Sequence, residues 1–393
     1  MAGYLTLDDV ETAGRRVLVR SDLNVPLDGG EVADDFRIRA ALGAVERLRS
    51  KGSVVVLCSH LGRPKGPDPT YSLAPVARRM EELGGYPVRH LPTLVGREVT
   101  EAVGGAEPGD VLLLENTRFH PGETSNDPAL ATRLADLADL FCQDAFGSVH
   151  RAHASTVGVA ARVRSVAGPL LVSELEALGE LLEDPPRPFV VILGGAKVSD
   201  KLGVLSAMVG ICDVLVLGGG MSFTALAAEG YPVGRSLTEG EMVSTLRELL
   251  DGPDGGKVIL PEDVVAAGQF RADAPFRVTD ARKIGDDEMG LDIGPNAARR
   301  IAETCEGAGS IFWNGPMGVF EWEAFRSGTE TVARAVASSG AFSVVGGGDS
   351  AAAIRLLGLE NRVSHLSTGG GASLRLLEGK PLPGVEILEK WVR

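Results

Sequence analysis

Cysteine, aromatic side chains and positive charge are all in short supply in this chain of 393 residues. Only four cysteines occur, Cys58, Cys142, Cys212 and Cys305, widely spaced and without a C-x-x-C pair. That spacing supplies neither a disulfide framework nor a zinc site, and settings such as VVVLCSH and LFCQDAF predict buried, reduced thiols. No apolar run approaches the roughly 18 residues that span a bilayer. The opening MAGYLTLDDV lacks the basic and apolar regions of a leader. A cytoplasmic location without membrane contact is therefore expected. Lys and Arg number 39 against 53 Asp and Glu, a formal net charge of −14 at pH 7. A field of that sign disfavours nucleic acid and anionic membranes as partners. It also repels small phosphorylated molecules, so any site for them needs a local cluster of cations. Internal repeats, the G-x-x-x-x-G-K-S/T loop and the protein-kinase signatures are missing too.

What is present is an ordinary globular composition, 44% hydrophobic and 23% charged, in a chain too long for one hydrophobic core. Short runs rich in Val, Ile and Leu recur: RVLVR (16–20), SVVVLC (53–58), VLLLE (111–115), PFVVILGG (188–195), DVLVLGGG (213–220), KVILP (257–261), SIFWNGP (310–316) and FSVVGGG (342–348). Continuous rather than alternating apolar runs suit parallel strands covered on both faces. Helical patterns lie between them. From Asp35 to Arg49, for instance, Ile38, Ala41, Leu42, Val45 and Leu48 fall on one face. The fold class expected is α/β, with two doubly wound parallel-sheet (Rossmann-like) domains. A boundary falls near residues 165–188, where the helix-like LLVSELEALGELLE makes a stiff hinge and Pro185, Pro186 and Pro188 stop it.

The two halves carry different chemistry. Five of the six histidines lie at or before His153, while the glycine clusters Gly194–Gly195, Gly218–Gly220, Gly346–Gly348 and Gly369–Gly371 lie after it. In the first half, RSDLNVP (20–26), SHLGRP (59–64), LENTRFHPGE (114–123) and DAFGSVHRAHAST (144–156) follow strands. Residues just past parallel strands line one crevice, so His60, Arg63, Arg118, His150, Arg151 and His153 are expected to converge on an anion. Arg37 opens a helix, where the dipole calls for a compensating anion. His90 and His365 lack such a context, and His120 stays undecided. In the second half, glycine turns between strand and helix let phosphate approach backbone N–H groups. GGAKVSDK (194–201) adds Lys197 and Lys201, which would share a face if the segment were helical. GGGDSA (346–351) fits the loose dinucleotide pattern G-x-G-x-x-A, yet Asp349 would stand where a pyrophosphate approaches. Mg²⁺ between that carboxylate and the phosphates resolves the conflict. An NAD-dependent dehydrogenase built on GGGDSA would leave the Arg/His cluster and both lysines without a joint role. A non-catalytic sensor of phosphometabolites is the other alternative.

Together with GGGMSFT (218–224), DIGP (292–295), WNGPMGVFE (313–321) and STGGGASLRLLEGKPLPGV (367–385), these segments resemble phosphoglycerate kinases from end to end. The resemblance implies that residues 1–170 bind 3-phosphoglycerate through Asp22, Asn24, Arg37, His60, Arg63, Arg118 and Arg151. It implies that residues 171–374 bind ATP or ADP through Gly194, Gly195, Lys197, Lys201, Gly219, Gly220, Asn314, Pro316, Glu321, Gly346, Gly347, Gly348, Asp349 and Ser350. Residues 375–393 would return to the first domain. Asp349 is the implied Mg²⁺-associated carboxylate. Arg37, Lys197, Gly347 and Gly370 are the implied catalytic positions in a reversible phosphoryl transfer between 1,3-bisphosphoglycerate with ADP and 3-phosphoglycerate with ATP. The acceptor carboxylate is already ionised, so domain closure and charge stabilisation suffice without a general base. A monomer acting in glycolysis is expected. Ser350 stands where Thr is usual, RSDLNVP replaces RVDFNVP, and LPEDVV (260–265) varies an LPxDxV segment; each departure keeps the charged groups.

Overall fold

In the computed structural model, which describes residues 3–392, the chain divides into two compact units. One comprises residues up to Glu176 with the stretch from Pro381 onward, and the other is Ala177–Lys380. The division falls inside a helix, and residues 375–380, expected with the returning tail, belong to the second unit.

In chain order the first unit holds β1 (Arg16–Arg20), a hairpin of β2 (Leu27–Asp28) and β3 (Glu31–Val32), α1 (Phe36–Ser50), β4 (Val54–Cys58), α2 (Ala74–Gly84), β5 (Val88–His90), α3 (Arg97–Gly104), β6 (Val111–Leu113), α4 (Pro128–Ala135), β7 (Leu140–Gln143) and β8 (Ser165–Ala167). Six strands form one parallel sheet in the order β5-β6-β4-β1-β7-β8. All five residues of β4 are buried, as a strand covered on both faces requires. Helix α1 buries Ile38, Ala41, Ala44, Val45 and Leu48 against that sheet's core, while Leu42 is only partly covered. The sheet grows outward from β1 to β5, then the chain crosses back over β4 and β1 to reach β7. The loops after β6, β4, β1 and β7 therefore lie side by side at one sheet end, next to that reversal. The tail closes on the same unit. Gly384 N–H donates to the Val149 carbonyl at 2.8 Å, and Trp391 Nε1 donates to the Ala160 carbonyl at 2.8 Å.

Helix α5 (Pro169–Glu183) carries the chain from one unit into the next. Then follow β9 (Phe189–Leu193), α6 (Leu202–Val209), β10 (Val214–Leu217), α7 (Gly219–Ala228), α8 (Val243–Asp251), β11 (Val258–Ile259), β12 (Asp263–Ala267), β13 (Phe276–Asp280), β14 (Met289–Ile293), α9 (Pro295–Glu306), β15 (Ser310–Asn314), α10 (Ser327–Ser338), β16 (Phe342–Gly346), α11 (Gly348–Leu356), β17 (His365–Leu366) and α12 (Gly371–Leu377). The second parallel sheet runs β11-β10-β9-β15-β16-β17, with its reversal between β9 and β15. Trp313 anchors its core, fully buried, with Nε1 donating to the Gly315 carbonyl at 2.8 Å. A separate antiparallel sheet, β13-β12-β14, has no counterpart in the apolar-run pattern. Its outer strand FRVTD is exposed except at Thr279, so it carries no continuous apolar run. The four cysteines are buried and free.

Candidate active site

In the first unit the loops after β4, β6 and β7 line a cationic cavity of about 610 Å³. Arg63, Arg118 and Arg151 line it with Lys65, His120 and His153. His120, undecided in sequence, thus belongs to the wall, while His90 lies elsewhere beside buried Glu115, at 3.4 Å. Arg118 is aimed by its neighbours. Asn116 Oδ1 accepts from its backbone N–H at 3.0 Å, and Nη1 donates to the Gly62 carbonyl at 2.7 Å. Its Nε is buried with no partner. Burial, then mutual repulsion among Arg20, Arg63, Arg118 and Arg151, lowers the pKa of Arg118 and Arg151. A cluster of cations that strains its own charge in this way is poised for an anion.

Asp22, Asn24, Arg37 and His60 do not line the cavity but brace it. Arg37 Nη1 donates to Asp22 Oδ1 at 2.8 Å, so the compensating anion at the α1 N-terminus is a buried side chain of β1's loop. Asn24 Oδ1 accepts from Gly62 N–H at 2.7 Å and ties that loop to the loop after β4. His60 is 7% exposed. Burial, then the guanidinium groups of Arg20, Arg118, Arg151 and Arg37, holds its imidazole well below the ordinary range. Under the loops lies a second support that sequence reading missed. The buried Glu115 carboxylate accepts from Ser72 Oγ, Leu73 N–H and Asn116 N–H at 2.7, 2.9 and 2.7 Å. Its only sequence signal is a carboxylate at a strand end, immediately before a loop that needs fixing.

In the second unit a cavity of about 470 Å³ opens at the sheet reversal. Gly195, Gly219, Gly220, Pro316, Glu321 and Asp349 are among its lining residues. Backbone packing explains the glycines there. A Cβ on Gly194 would meet the Pro316 carbonyl at 2.2 Å, because the loops after β9 and β15 touch directly. Gly347 has φ +92°, a left-handed turn that aims the α11 N-terminus. Gly346 and Gly348 flank it, Gly348 with open space where a side chain would be. Gly370, at φ +51°, precedes α12 in the same manner.

Several expected nucleotide contacts stand differently from the sequence expectation. The segment from Lys197 to Lys201 is an irregular turn, because α6 starts only at Leu202, so the two lysines do not share a helix face. Lys197 is exposed, whereas Lys201 Nζ donates to the Gly194 and Asn314 carbonyls at 2.6 and 2.9 Å. Burial brings the Lys201 pKa down to about 8 against the opposing pull of Asp349 and Asp200. The Ser350 hydroxyl is committed to the loops: it donates to the Gly346 carbonyl and accepts from Gly315 N–H at 3.1 Å. Asn314 Nδ2 is buried with no partner. The remaining wall is largely apolar, with Phe223, Leu237, Phe270 and Leu291 beside the single arginine Arg235, and went unseen in sequence because such residues are scattered. The exposure of Phe270 and Leu237, 64% and 51%, is the property that marks them, and it is invisible before folding. Asp349, in the first turn of α11, and Glu321 are the two carboxylates on this wall, and Asp349, which directly follows the Gly346–Gly348 turn, is the one placed to meet a cation there. Among the described residues no cluster of three metal-ligating side chains exists. The donor set fits Mg²⁺ carried largely by phosphate oxygens and waters, with one protein carboxylate beside it.

Two doubly wound units, one with a cationic cavity and one with glycine turns around an apolar cleft, define a phosphotransferase. Comparison with known proteins identifies which. The family model for phosphoglycerate kinase matches residues 7–380. The chain is 56% identical to the phosphoglycerate kinase of Rubrobacter xylanophilus over 97% of each chain. It is 55% identical to that of Salinispora tropica over 98% of this chain and 99% of the relative. A phosphoglycerate kinase structure from Coxiella burnetii superposes with a TM-score of 0.87 at 40% identity, covering 99% of this chain and all of that one. The corresponding structure from Pyrococcus horikoshii gives 0.89 at 31%, over 98% and 100%. The chain belongs to the phosphoglycerate kinase family, whose members are phosphotransferases with a carboxyl group as acceptor.

Proposed function

We propose that this chain, as a cytoplasmic monomer in glycolysis, catalyses the reversible transfer of a phosphoryl group between 1,3-bisphosphoglycerate with ADP and 3-phosphoglycerate with ATP. The observation that carries it is the crowding of Arg63, Arg118 and Arg151 around one cavity in a chain of net charge −14. Only a ligand with several negative charges offsets that local repulsion. 3-Phosphoglycerate binds through these three, with Arg37 and His60 beside them and Asp22 and Asn24 holding the loops. Nucleotide binds in the second unit, its base on the apolar wall and its phosphates toward the turns at Gly194–Gly195, Gly219–Gly220 and Gly346–Gly348. Asn314 Nδ2, Lys197 and Lys201 are the donors nearest in role, with Pro316 and Glu321 on the wall and Ser350 keeping the turn shaped.

Mg²⁺, bound with the nucleotide beside Asp349, neutralises phosphate charge. In the ATP-consuming direction a carboxylate oxygen of 3-phosphoglycerate forms a bond to the γ-phosphorus. The bond to the β–γ bridging oxygen breaks, ADP departs, and no proton moves. Arg37, Lys197 and the backbone N–H groups near Gly347 and Gly370 stabilise charge on the transferred group. Because each substrate has its own unit, closure about the segment 165–188 brings them in line and excludes water. The test is ADP release from ATP and Mg²⁺ by the purified protein. Release is expected only when 3-phosphoglycerate and Mg²⁺ are both added; release indifferent to 3-phosphoglycerate, or none from folded protein, defeats the assignment.

A further inference from the structure

The cationic cavity has a buried floor that is not itself part of the wall. Arg20, the last residue of β1, is 1% exposed, and its guanidinium has three partners. Nη1 donates to the Ser21 carbonyl at 2.6 Å, Nε donates to Ser155 Oγ at 2.9 Å, and Nη2 lies 3.2 Å from His60 Nδ1. Ser155 passes the chain onward. Its hydroxyl donates to Glu123 Oε1 at 2.6 Å and its N–H donates to Oε2 at 3.0 Å. Arg20 and Glu123 are thus opposite buried charges bridged by one hydroxyl, an arrangement that holds geometry more than it adds stability. His153 Nδ1 stands at the far end, 3.7 Å from Glu123 Oε1.

A guanidinium has five N–H groups and no acceptor, so the atom facing Arg20 Nη2 must offer a lone pair. An imidazole with a lone pair on Nδ1 is neutral and carries its proton on Nε2. We infer that Arg20 is a positioning residue that locks His60 as a neutral imidazole with Nε2–H as its one donor, available to an anionic oxygen of the substrate. The substrate half of that statement rests on the function proposed above; the ring state does not. The charged groups that act on the ring are Arg20 from β1, Arg37 from α1, Arg118 after β6 and Arg151 after β7, cations without exception. The carboxylates near them are engaged elsewhere, Asp22 by Arg37 and Glu123 by Ser155. Protonation of His60 is therefore opposed from every side, which agrees with its depressed pKa. A fixed neutral donor keeps substrate recognition steady where a free imidazole, with a pKa near 6.5, would change charge.

The experiment reads the ring directly. Long-range ¹H–¹⁵N NMR of the full-length protein without substrate, from pH 6 to pH 8, is expected to show His60 Nδ1 pyridine-like and Nε2 pyrrole-like throughout. An imidazolium or an Nδ1–H ring at pH 7 overturns the inference, and this holds whether or not any variant folds. In Arg20→Met burial and the remaining arginines still oppose protonation, but nothing fixes the tautomer, so the ring is expected to show Nδ1–H and Nε2–H forms together. KM for 3-phosphoglycerate should rise about fivefold over wild type, the scale of one hydrogen bond. Turnover at saturation should move much less, and Arg20→Lys, which keeps a donor-only cation, should restore the single tautomer in part. A ring state in Arg20→Met identical to wild type, or an unchanged KM, overturns the positioning role. Since the ring is observed without substrate, a failure of phosphoglycerate turnover and a failure of the lock are separately visible.

Discussion

Arg37 joins a structural role, its pair with Asp22, to the chemical role proposed above. Its guanidinium sits in the first turn of α1, where the helix dipole opposes it, and Asp22, with a side chain only 2% exposed, neutralises it at 2.8 Å. Removing the arginine leaves that carboxylate buried and uncompensated, a change that costs about 3 kcal/mol of stability in comparable pairs. If Arg37 also meets charge that develops only in the transition state, Arg37→Ala should lower kcat by about two to three orders of magnitude. KM for Mg-ATP should shift by less than about threefold, since the proposal assigns the nucleotide to the other unit. Steady-state kinetics on a sample shown folded by circular dichroism would check both numbers. Near-wild-type turnover would return Arg37 to a purely structural pair with Asp22. Arg37→Lys keeps the charge but not the planar fork, so it should recover stability before it recovers turnover.

At the scale of elements, the beginning of α5 is the point where the substrate-bearing loops meet the connecting helix. Asp144, one residue past β7, accepts from Leu170 N–H at 2.8 Å and Leu171 N–H at 3.3 Å, while Pro169 has no N–H to satisfy. Burial pushes the Asp144 carboxyl up to about 7 despite those two donors. The folded chain then binds a proton between about pH 4 and pH 7 that the unfolded chain has released. Its stabilising effect is complete below the unfolded value and fades as pH rises through 7. Asp144→Asn keeps an acceptor for the helix and removes the ionisation. Relative to wild type the variant should gain stability as pH goes from 5 to 7, with a slope of at most about 1.4 kcal/mol per unit. Urea midpoints at the two pH values measure it, and a pH-independent difference would mean Asp144 is ionised throughout. That role was illegible in the sequence, where DAFG read only as part of an anion loop. The strands themselves were legible because β4, β9 and β15 are fully buried runs whose residue types admit no other reading. The antiparallel sheet was not, since FRVTD has no continuous apolar run and its brief alternation leaves Phe276 and Val278 exposed and buries Thr279. Site residues divide in the same way. Arg63, Arg118 and Arg151 were legible from charge at strand ends. The floor formed by Arg20, Ser155 and Glu123 depends on which polar groups become buried, and only the folded chain decides that.

For the whole molecule, the proposed reaction requires two sites on separate units to act on one phosphorus atom. A chain with net charge −14 gains nothing from drawing its units together unless something in the gap favours closure. On the proposed assignment each ligand alone would contact its own unit and so would have little differential affinity for an open or a closed arrangement; a ligand of equal affinity shifts nothing. In the proposed mechanism Arg37 and Lys197 would, with both present, gain a shared partner in the transferring group, and that shared contact would supply the differential affinity. Small-angle scattering should therefore show little change with 3-phosphoglycerate alone or a non-hydrolysable Mg-ATP analogue alone. Both together should reduce the radius of gyration toward the ~21 Å expected of one compact body of this length. Arg37→Ala, still able to bind nucleotide, should lose most of that compaction while keeping affinity for the Mg-ATP analogue. Full compaction with one ligand would show that closure precedes the meeting of the substrates, and an unchanged radius with both would remove closure from the mechanism.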